Sequence, residues 1–220
     1  PRPDIAAGIL LVAFCPSGSL STVYTYLARA NLALSVTLTA VSSLLALLSM
    51  PFLTAAVFAL FLNKQQSIDV PLARMTLQLL LPVALGMSLR HWHKPFTDRY
   101  GVAFRRFSIF ALTALVFSVI YNQRQLLGAD LLEVSRAALL FSLCAVSLAW
   151  GISLLAGLSR EDCFTLILEF SVRNLAITAA IGITVLGRVE FLLFAAIFLV
   201  VQLILAILMT LTYRRFFAPT

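Results

Sequence analysis

The sequence predicts an all-α integral membrane protein with about seven transmembrane helices. Hydrophobic residues make up 61% of the 220 positions and charged residues only 11%, whereas soluble domains carry about 25% charged residues. The mean hydropathy is +1.02. The 16 Lys and Arg residues stand mostly in short clusters between long uncharged runs, as in the loops that orient membrane helices. The net charge of +7 therefore indicates a membrane protein and argues against nucleic-acid binding.

The candidate spans are apolar runs long enough to cross a bilayer, which takes about 20 helical residues. Residues 5–28 fit one span but contain Pro16 and Gly18 near its middle. Since proline removes a backbone donor and glycine permits non-helical dihedral angles, we predict a broken helix there. Residues 30–63 have little polar punctuation, which predicts one long, tilted or kinked helix. Further spans are predicted at residues 70–89, 107–121, 137–158, 163–187 and 191–213.

The distribution of basic residues predicts the orientation. The loops on one side of the predicted spans hold nine Lys or Arg residues and those on the other side six, and the densest cluster lies in the predicted loop 90–106. The positive-inside bias places that loop in the cytoplasm. The first residue is then outside and the last inside, as expected of a chain that lacks an odd number of earlier spans.

The predicted span 163–187 contains two ionisable side chains, Glu169 and Arg173. Charged groups are costly inside a membrane, so they indicate function by default. Their i, i+4 spacing would place both on one face of a helix. Two interpretations follow: a salt bridge that joins helices, or a site for an ion or an anion.

Hydroxyl side chains near the first predicted break favour the ion site. Ser35 and Thr39 are spaced i, i+4 in the next predicted helix, so both hydroxyls can face one partner. Such side chains often bond only to their own helix, but hydroxyls, free carbonyls and a carboxylate together suit sodium. Secondary transporters build ion sites in this way, with broken helices meeting near the membrane midplane. We therefore predict that the breaks at 16–19 and 169–174 face each other.

A longer motif surrounds the first break. Residues 15–35 read CPSGSLSTVYTYLARANLALS, which resembles the signature of the bile acid:sodium symporter family: Cys-Pro-Gly-Gly, a Ser-Asn pair, Thr-Tyr-Leu-Ala and Asn-x-Ala-Leu-Ser. Residues 169–176 read EFSVRNLA and resemble more loosely that family's second crossover, Glu-x-Gly-x-Gln-Asn-x-x-Leu-Ala. Seven predicted spans in the right order extend the resemblance over essentially the whole chain.

The resemblance implies an inverted-repeat transporter of about ten helices, of which this chain has the last seven. Residues 1–62 would then be the first part of the core domain, with a broken helix and a long one. Residues 63–125 would be a helix pair of the panel domain. Residues 126–220 would form the second part of the core, so that two broken helices cross.

The resemblance also implies roles for individual residues. One sodium site would use Ser21, Thr22, Ser35, Thr39 and Glu169, with Thr22 at a position where the family usually has Asn. A second sodium site would be absent, because Arg173 stands where the family has Gln and a guanidinium cannot coordinate a cation. The residues that would line the substrate path are Ser19, Arg173, Asn174 and Gln202.

These observations predict a multi-pass cell-membrane protein that couples sodium to symport of an organic anion, either bile-acid-like or a small carboxylate, with fewer sodium ions than usual. Its partners would be that anion and the lipid bilayer, and its oligomeric state stays open. Alternatives are a non-transporting remnant, or a proton-coupled or uncoupled transporter of the same fold. The sequence has no HExxH motif and no metal-ligand spacing among its three cysteines, so we expect neither an enzyme nor a metal other than sodium.

Overall fold

The computed structural model describes residues 3–61, 72–122 and 124–217, and all its regular elements are helices. A short 3-10 turn, Val189–Phe191, precedes the last helix, and α8 continues into a π-helical segment, Ile181–Val185. The α-helices are α1 Pro3–Phe14, α2 Ser19–Ala28, α3 Leu32–Phe61, α4 Leu72–Trp92, α5 Lys94–Asn122, α6 Arg124–Leu155, α7 Arg160–Ser171, α8 Leu175–Ala180 and α9 Leu192–Phe216.

Three of the described helices are long and apolar enough to cross a membrane: Leu32–Ala56, Leu131–Leu155 and Val189–Phe216. Two shorter segments, Pro3–Phe14 and Leu175–Val185, are also apolar. Many large apolar side chains are exposed along these helices, as is expected where lipid is the solvent. The structure is therefore that of an all-helical membrane protein, while the count of seven spans and the three-part division of the chain stay predictions.

Both predicted helix breaks are present, and they meet. The chain leaves α1 at Cys15 and re-enters a helix at Ser19, and it leaves α7 at Val172 and re-enters a helix at Leu175. The Gly18 amide donates to the Val172 carbonyl at 2.9 Å and the Asn174 amide to the Pro16 carbonyl at 3.0 Å. The two extended segments thus form a one-step antiparallel bridge, which satisfies backbone groups that no water could reach inside a bilayer.

The position of the second break corrects one expectation. The i, i+4 spacing of Glu169 and Arg173 could have placed both side chains on one helix face, but α7 ends at Ser171, within the predicted break. Glu169 remains in the last helical turn, whereas Arg173 lies in the antiparallel bridge opposite Ser17. The i, i+4 rule holds only where the helix is continuous, so it does not apply to this pair.

The segment 90–106 also differs from expectation. It was predicted to be a loop, but α4 continues to Trp92 and α5 starts at Lys94, so that only His93 separates two helices. Lys and Arg are good helix formers, and their charges do not oppose a helix that extends beyond the apolar layer. The basic residues therefore lie on the last turn of α4 and the first half of α5 rather than in a loop.

Close packing of α1 against its neighbours holds the first broken segment in position. The residues Ala7, Leu11 and Phe191 belong to one buried cluster that also includes side chains of α3 and of the π-helical segment. A Cβ atom at Gly8 would lie 2.5 Å from the Phe191 carbonyl oxygen, so only glycine allows this approach. Long helix α3 forms as one element in spite of Pro51, as predicted.

Candidate functional site

A buried carboxylate lies at the centre of the candidate site. Glu169 is only 4% exposed and projects from the last turn of α7 toward α2 and α3. Its Oε1 atom accepts hydrogen bonds from Ser21 Oγ and Ser35 Oγ, both at 2.6 Å. Thr39 Oγ1 lies 2.9 Å from Oε2 and 3.1 Å from Oε1. Hydrogen bonds to a carboxylate are short and strong, and these satisfy both oxygens of the buried group.

Thr22 completes the group without touching the carboxylate directly. Its Oγ1 atom lies 3.1 Å from Ser35 Oγ and 3.4 Å from Thr39 Oγ1. The five residues predicted for sodium therefore come together from α2, α3 and α7. We refer to Ser21, Thr22, Ser35, Thr39 and Glu169 as the hydroxyl–carboxylate cluster.

The hydroxyl groups of this cluster can act either as hydrogen-bond donors or as ligands of a cation. A Ser or Thr hydroxyl has one proton to donate and two lone pairs to offer. The hydroxyl oxygens of Ser21, Ser35 and Thr39 lie within hydrogen-bonding distance of Glu169, and Ser21 Oγ is also 2.8 Å from the Gly18 carbonyl oxygen. Rotation of the same hydroxyls would present oxygen lone pairs to a small cation beside the carboxylate. Such an oxygen-only environment suits a hard cation.

A turn between α2 and α3 holds the cluster against α7. The Asn31 side-chain amide donates to Asp162 Oδ1 at 2.7 Å, and its carbonyl oxygen accepts from the Leu34 amide at 3.0 Å. The Asn31 backbone amide also donates to Thr165 Oγ1 at 3.2 Å. One asparagine thus caps the start of α3 and ties it to the helix that carries Glu169.

The two bridged segments, between α1 and α2 and between α7 and α8, form the crossover. Arg173 lies in the second segment, and its side chain reaches the end of α1. Its Nη1 donates to the Cys15 carbonyl at 3.2 Å, so its positive charge sits at the C-terminal end of α1, where the helix dipole favours a cation. Its guanidinium carbon is 5.9 Å from the centre of the Phe170 ring. Its Nε is buried and has no hydrogen-bond partner, which leaves one strong donor open.

The other residues predicted for substrate take different places. Ser19 is exposed at the start of α2, and Asn174 is partly buried at the start of α8, where its side chain makes no capping bond. Gln202, only 2% exposed on α9, accepts a hydrogen bond from the Arg173 backbone amide at 3.0 Å. Its oxygen thus supports the break rather than facing an open space.

Sequence reasoning missed a second hydroxyl pair. Ser17 Oγ and Ser42 Oγ lie 2.8 Å apart, and Ser42 Oγ also donates to the Thr39 carbonyl at 3.1 Å. Ser35, Thr39 and Ser42 follow an i, i+4, i+7 pattern on α3, and this spacing was the signal available in the sequence. The pair joins α3 to the crossover.

Comparison with known proteins identifies the family of the chain. The model of the Sodium Bile acid symporter family matches residues 2–130. The probable sodium/metabolite cotransporter BASS1 of Arabidopsis thaliana is 41% identical over 93 residues, covering 42% of this chain and 22% of the relative. The uncharacterized sodium-dependent transporter YocS of Bacillus subtilis is 30% identical over 135 residues, covering 60% of this chain and 41% of the relative.

A more distant relative aligns over most of the chain. The human ileal sodium/bile acid cotransporter is 25% identical over 187 residues, which is 81% of this chain and 52% of the relative. The chain thus spans between about one fifth and one half of the length of these three relatives. Because the family model covers more than half of the 220 residues, the chain belongs to the sodium bile acid symporter family.

Proposed function

We propose that the chain is part of a sodium-coupled symporter of an organic anion in a cell membrane. The observation that carries the proposal is the buried Glu169 carboxylate, which is surrounded by hydroxyls where two broken helices cross. Crossing broken helices near the midplane are typical of secondary transporters. The names of the relatives above describe sodium/metabolite and sodium/bile acid cotransporters, and this supports the same class of function.

Sodium would bind in the hydroxyl–carboxylate cluster. The Glu169 carboxylate supplies the negative charge, and Ser21, Ser35 and Thr39 supply neutral oxygens already within hydrogen-bonding distance of it. Thr22 adds a further hydroxyl beside Ser35 and Thr39. Binding would replace hydrogen bonds to the carboxylate by oxygen–cation contacts, so the cluster would remain compact in both states.

The anion would bind beside the crossover. Helix N-termini carry partial positive charge, and both α2 and α8 begin at the crossover. Gly18 and Asn174 at their starts give no side-chain cap, which leaves amide groups of the first turns for a ligand. Ser19 and Asn174 would add polar contacts, and Gln202 would hold the Arg173 backbone in place. A bile-acid-like anion and a small carboxylate both fit this chemistry.

Arg173 would reduce the number of coupled sodium ions. Arg stays protonated in proteins, and its guanidinium occupies the carbonyl end of α1, a kind of position at which transporters coordinate cations. The Arg173→Gln variant removes this fixed charge. We expect its sodium dependence to become steeper, with a Hill coefficient above that of the unaltered chain. An unchanged coefficient together with unchanged substrate affinity would mean that Arg173 only joins helices.

An uptake assay tests the proposal. The chain is reconstituted in liposomes, and uptake of labelled taurocholate and pyruvate is measured with inward gradients of sodium, of protons or of choline. We expect uptake with the sodium gradient alone and its loss in Glu169→Gln. Glu190→Gln, which changes an exposed carboxylate, is the matched control. Uptake driven by protons would favour a proton-coupled transporter, and no uptake of either anion would favour a non-transporting protein.

A further inference from the structure

Two charged side chains, Glu169 and Arg173, lie where the two broken helices cross. Among the residues that the structure describes, Glu169 is the one charged side chain in the fully buried class. Arg173 lies four residues later, in the break that follows α7, is half-buried, and interacts electrostatically with Glu169. Unpaired charges are expensive in a low-dielectric interior. The ligand-free crossover therefore has a net charge of zero, with one fixed negative and one fixed positive group.

The two groups have separate immediate surroundings. Glu169 is bonded by hydroxyls of α2 and α3, whereas Arg173 Nη1 is bonded by the Cys15 carbonyl of the other segment. Glu169 and Arg173 therefore attract each other without a direct hydrogen bond, and they do not compete for hydrogen-bonding partners. A cation could bind at Glu169 while Arg173 keeps its charge and its place.

Binding of one sodium ion at Glu169 would leave the positive charge of Arg173 without a counter-charge. The ion neutralises Glu169, and the guanidinium is left as an uncompensated positive charge. Arg173 Nε is buried with no partner, so it offers a donor that an entering acceptor would satisfy. A single carboxylate or sulfonate restores both the charge balance and the missing hydrogen bond. A neutral solute would leave one positive charge, and a dianion would leave one negative charge.

We propose that this chain makes symport electroneutral, with one sodium ion and one monoanion per cycle and Arg173 as the counter-charge of the anion. The inference rests on the proposed function and adds the charge class of its substrate. The empty crossover (Glu169 and Arg173) and the loaded one (with sodium and a monoanion) both have zero net charge. Neither half of the cycle moves charge through the membrane field, whichever part of the protein moves. Transport would follow the chemical gradients of sodium and anion, and membrane voltage would have no effect.

The test measures uptake of ²²Na⁺ into liposomes that contain the full chain. Pyruvate and taurocholate are the monoanionic probes and succinate is the dianionic probe. Valinomycin with potassium gradients sets the membrane potential to zero or to about −100 mV inside. We expect anion-stimulated ²²Na⁺ uptake with a monoanion but not with succinate, and the same steady-state accumulation at both potentials. Accumulation that rises with inside-negative potential would overturn the inference.

A substitution gives an independent readout. In Arg173→Gln a second sodium ion would take the place of the guanidinium, so that each cycle would carry one net positive charge. We therefore expect voltage-dependent uptake, with accumulation changing by up to about 50-fold per 100 mV for one elementary charge. Arg214→Gln, which alters an exposed arginine at the end of α9, is the matched control and should remain voltage-independent. A voltage-independent Arg173→Gln variant with unchanged uptake would also contradict the inference.

The two possible failures are distinguishable. If neither monoanion stimulates ²²Na⁺ uptake by the unaltered chain, the proposed sodium-coupled symport is wrong. If a monoanion stimulates uptake and that uptake depends on voltage, symport stands but its electroneutrality is wrong. The unaltered chain alone decides between these outcomes, so the conclusion does not depend on the stability of a variant.

Discussion

At the scale of single residues, the site depends on hydroxyls that face the carboxylate rather than their own helix. Ser35 and Thr37 lie on the same helix and show the contrast. Ser35 Oγ is 2.6 Å from Glu169 Oε1, whereas Thr37 Oγ1 donates to the Ala33 carbonyl at 2.9 Å and is exposed. The second arrangement is the usual one for hydroxyls in helices.

This contrast gives a matched pair of variants. Ser35→Ala removes one oxygen from the hydroxyl–carboxylate cluster and one hydrogen bond from the buried carboxylate. The lost oxygen–cation contact should weaken sodium binding by about 1.4 kcal/mol, so we expect roughly tenfold lower sodium affinity. Thr37→Ala should leave sodium affinity unchanged. The measurement is sodium-dependent thermal stabilisation of the purified chain, and equal affinities in the two variants would remove Ser35 from the site.

The sequence predicted which residues form the site, but it did not predict all of their contacts. The intramembrane carboxylate and the i, i+4 hydroxyls identified Glu169, Ser35 and Thr39, which do meet. The place of Arg173 depended on where α7 ends, and helix ends are set by tertiary pairing that the local sequence does not show. Gln202 was predicted to line the substrate path, and its hydrogen bond from the Arg173 backbone amide is a role that the sequence did not show; its contact with substrate stays a prediction.

At the scale of elements, the crossover requires backbones to approach closely. A Cβ atom at Gly18 would lie 3.1 Å from the Arg173 carbonyl oxygen and 3.4 Å from the Asn174 amide nitrogen. These neighbours are backbone atoms held by hydrogen bonds across the bridge, so they have little room to move. The two broken segments and the helices that flank them therefore form one structural unit.

The Gly18→Ala variant tests this unit. Overpacking of a tight interior costs about 1–3 kcal/mol, so we expect a lower unfolding temperature and weaker sodium binding, since the bridge positions both α2 and α7. Gly101→Ala on α5, where an added Cβ meets nothing within 4 Å, should change neither. Unfolding is followed by fluorescence-detected gel filtration after heating. A Gly18→Ala variant with full stability and full sodium affinity would show that the crossover tolerates displacement.

The sequence predicted the positions of the helix break and of α3 well, but it predicted the ends of some helices poorly. Pro16 and Gly18 located the first break, and the uncharged run after it gave α3 as one helix. The start of α5 was missed by more than ten residues, at Lys94 instead of 107. Hydropathy detects the part of a helix that lies in lipid, and a helix that continues past that layer with polar residues gives no hydropathy signal.

At the scale of the whole molecule, the basic residues around His93 predict the orientation in the membrane. Five of the sixteen Lys and Arg residues lie between residues 90 and 106, on the last turn of α4 and the first half of α5. Positive residues favour the cytoplasmic side. The helical form of the segment does not change this argument, because the bias depends on charge and not on backbone conformation.

Cysteine labelling tests the orientation. In a chain with Cys144 replaced by Ser, a cysteine introduced at Thr97 should resist an impermeant maleimide in intact cells and react after permeabilisation. A cysteine introduced at Arg188, in the turn that precedes α9 and on the opposite predicted side, should react in intact cells. The reverse pattern would invert the topology.

Sodium binding to the purified chain tests the central claim most directly, because it needs no knowledge of the transported anion. Equilibrium binding of ²²Na⁺ is measured against excess potassium for the unaltered chain, for Glu169→Gln and for the exposed-carboxylate control Glu190→Gln. The account predicts saturable, sodium-selective binding with a Hill coefficient near one, which is lost in Glu169→Gln and retained in Glu190→Gln. Binding that is equal in the unaltered chain and in Glu169→Gln, or no sodium-selective binding at all, would contradict it.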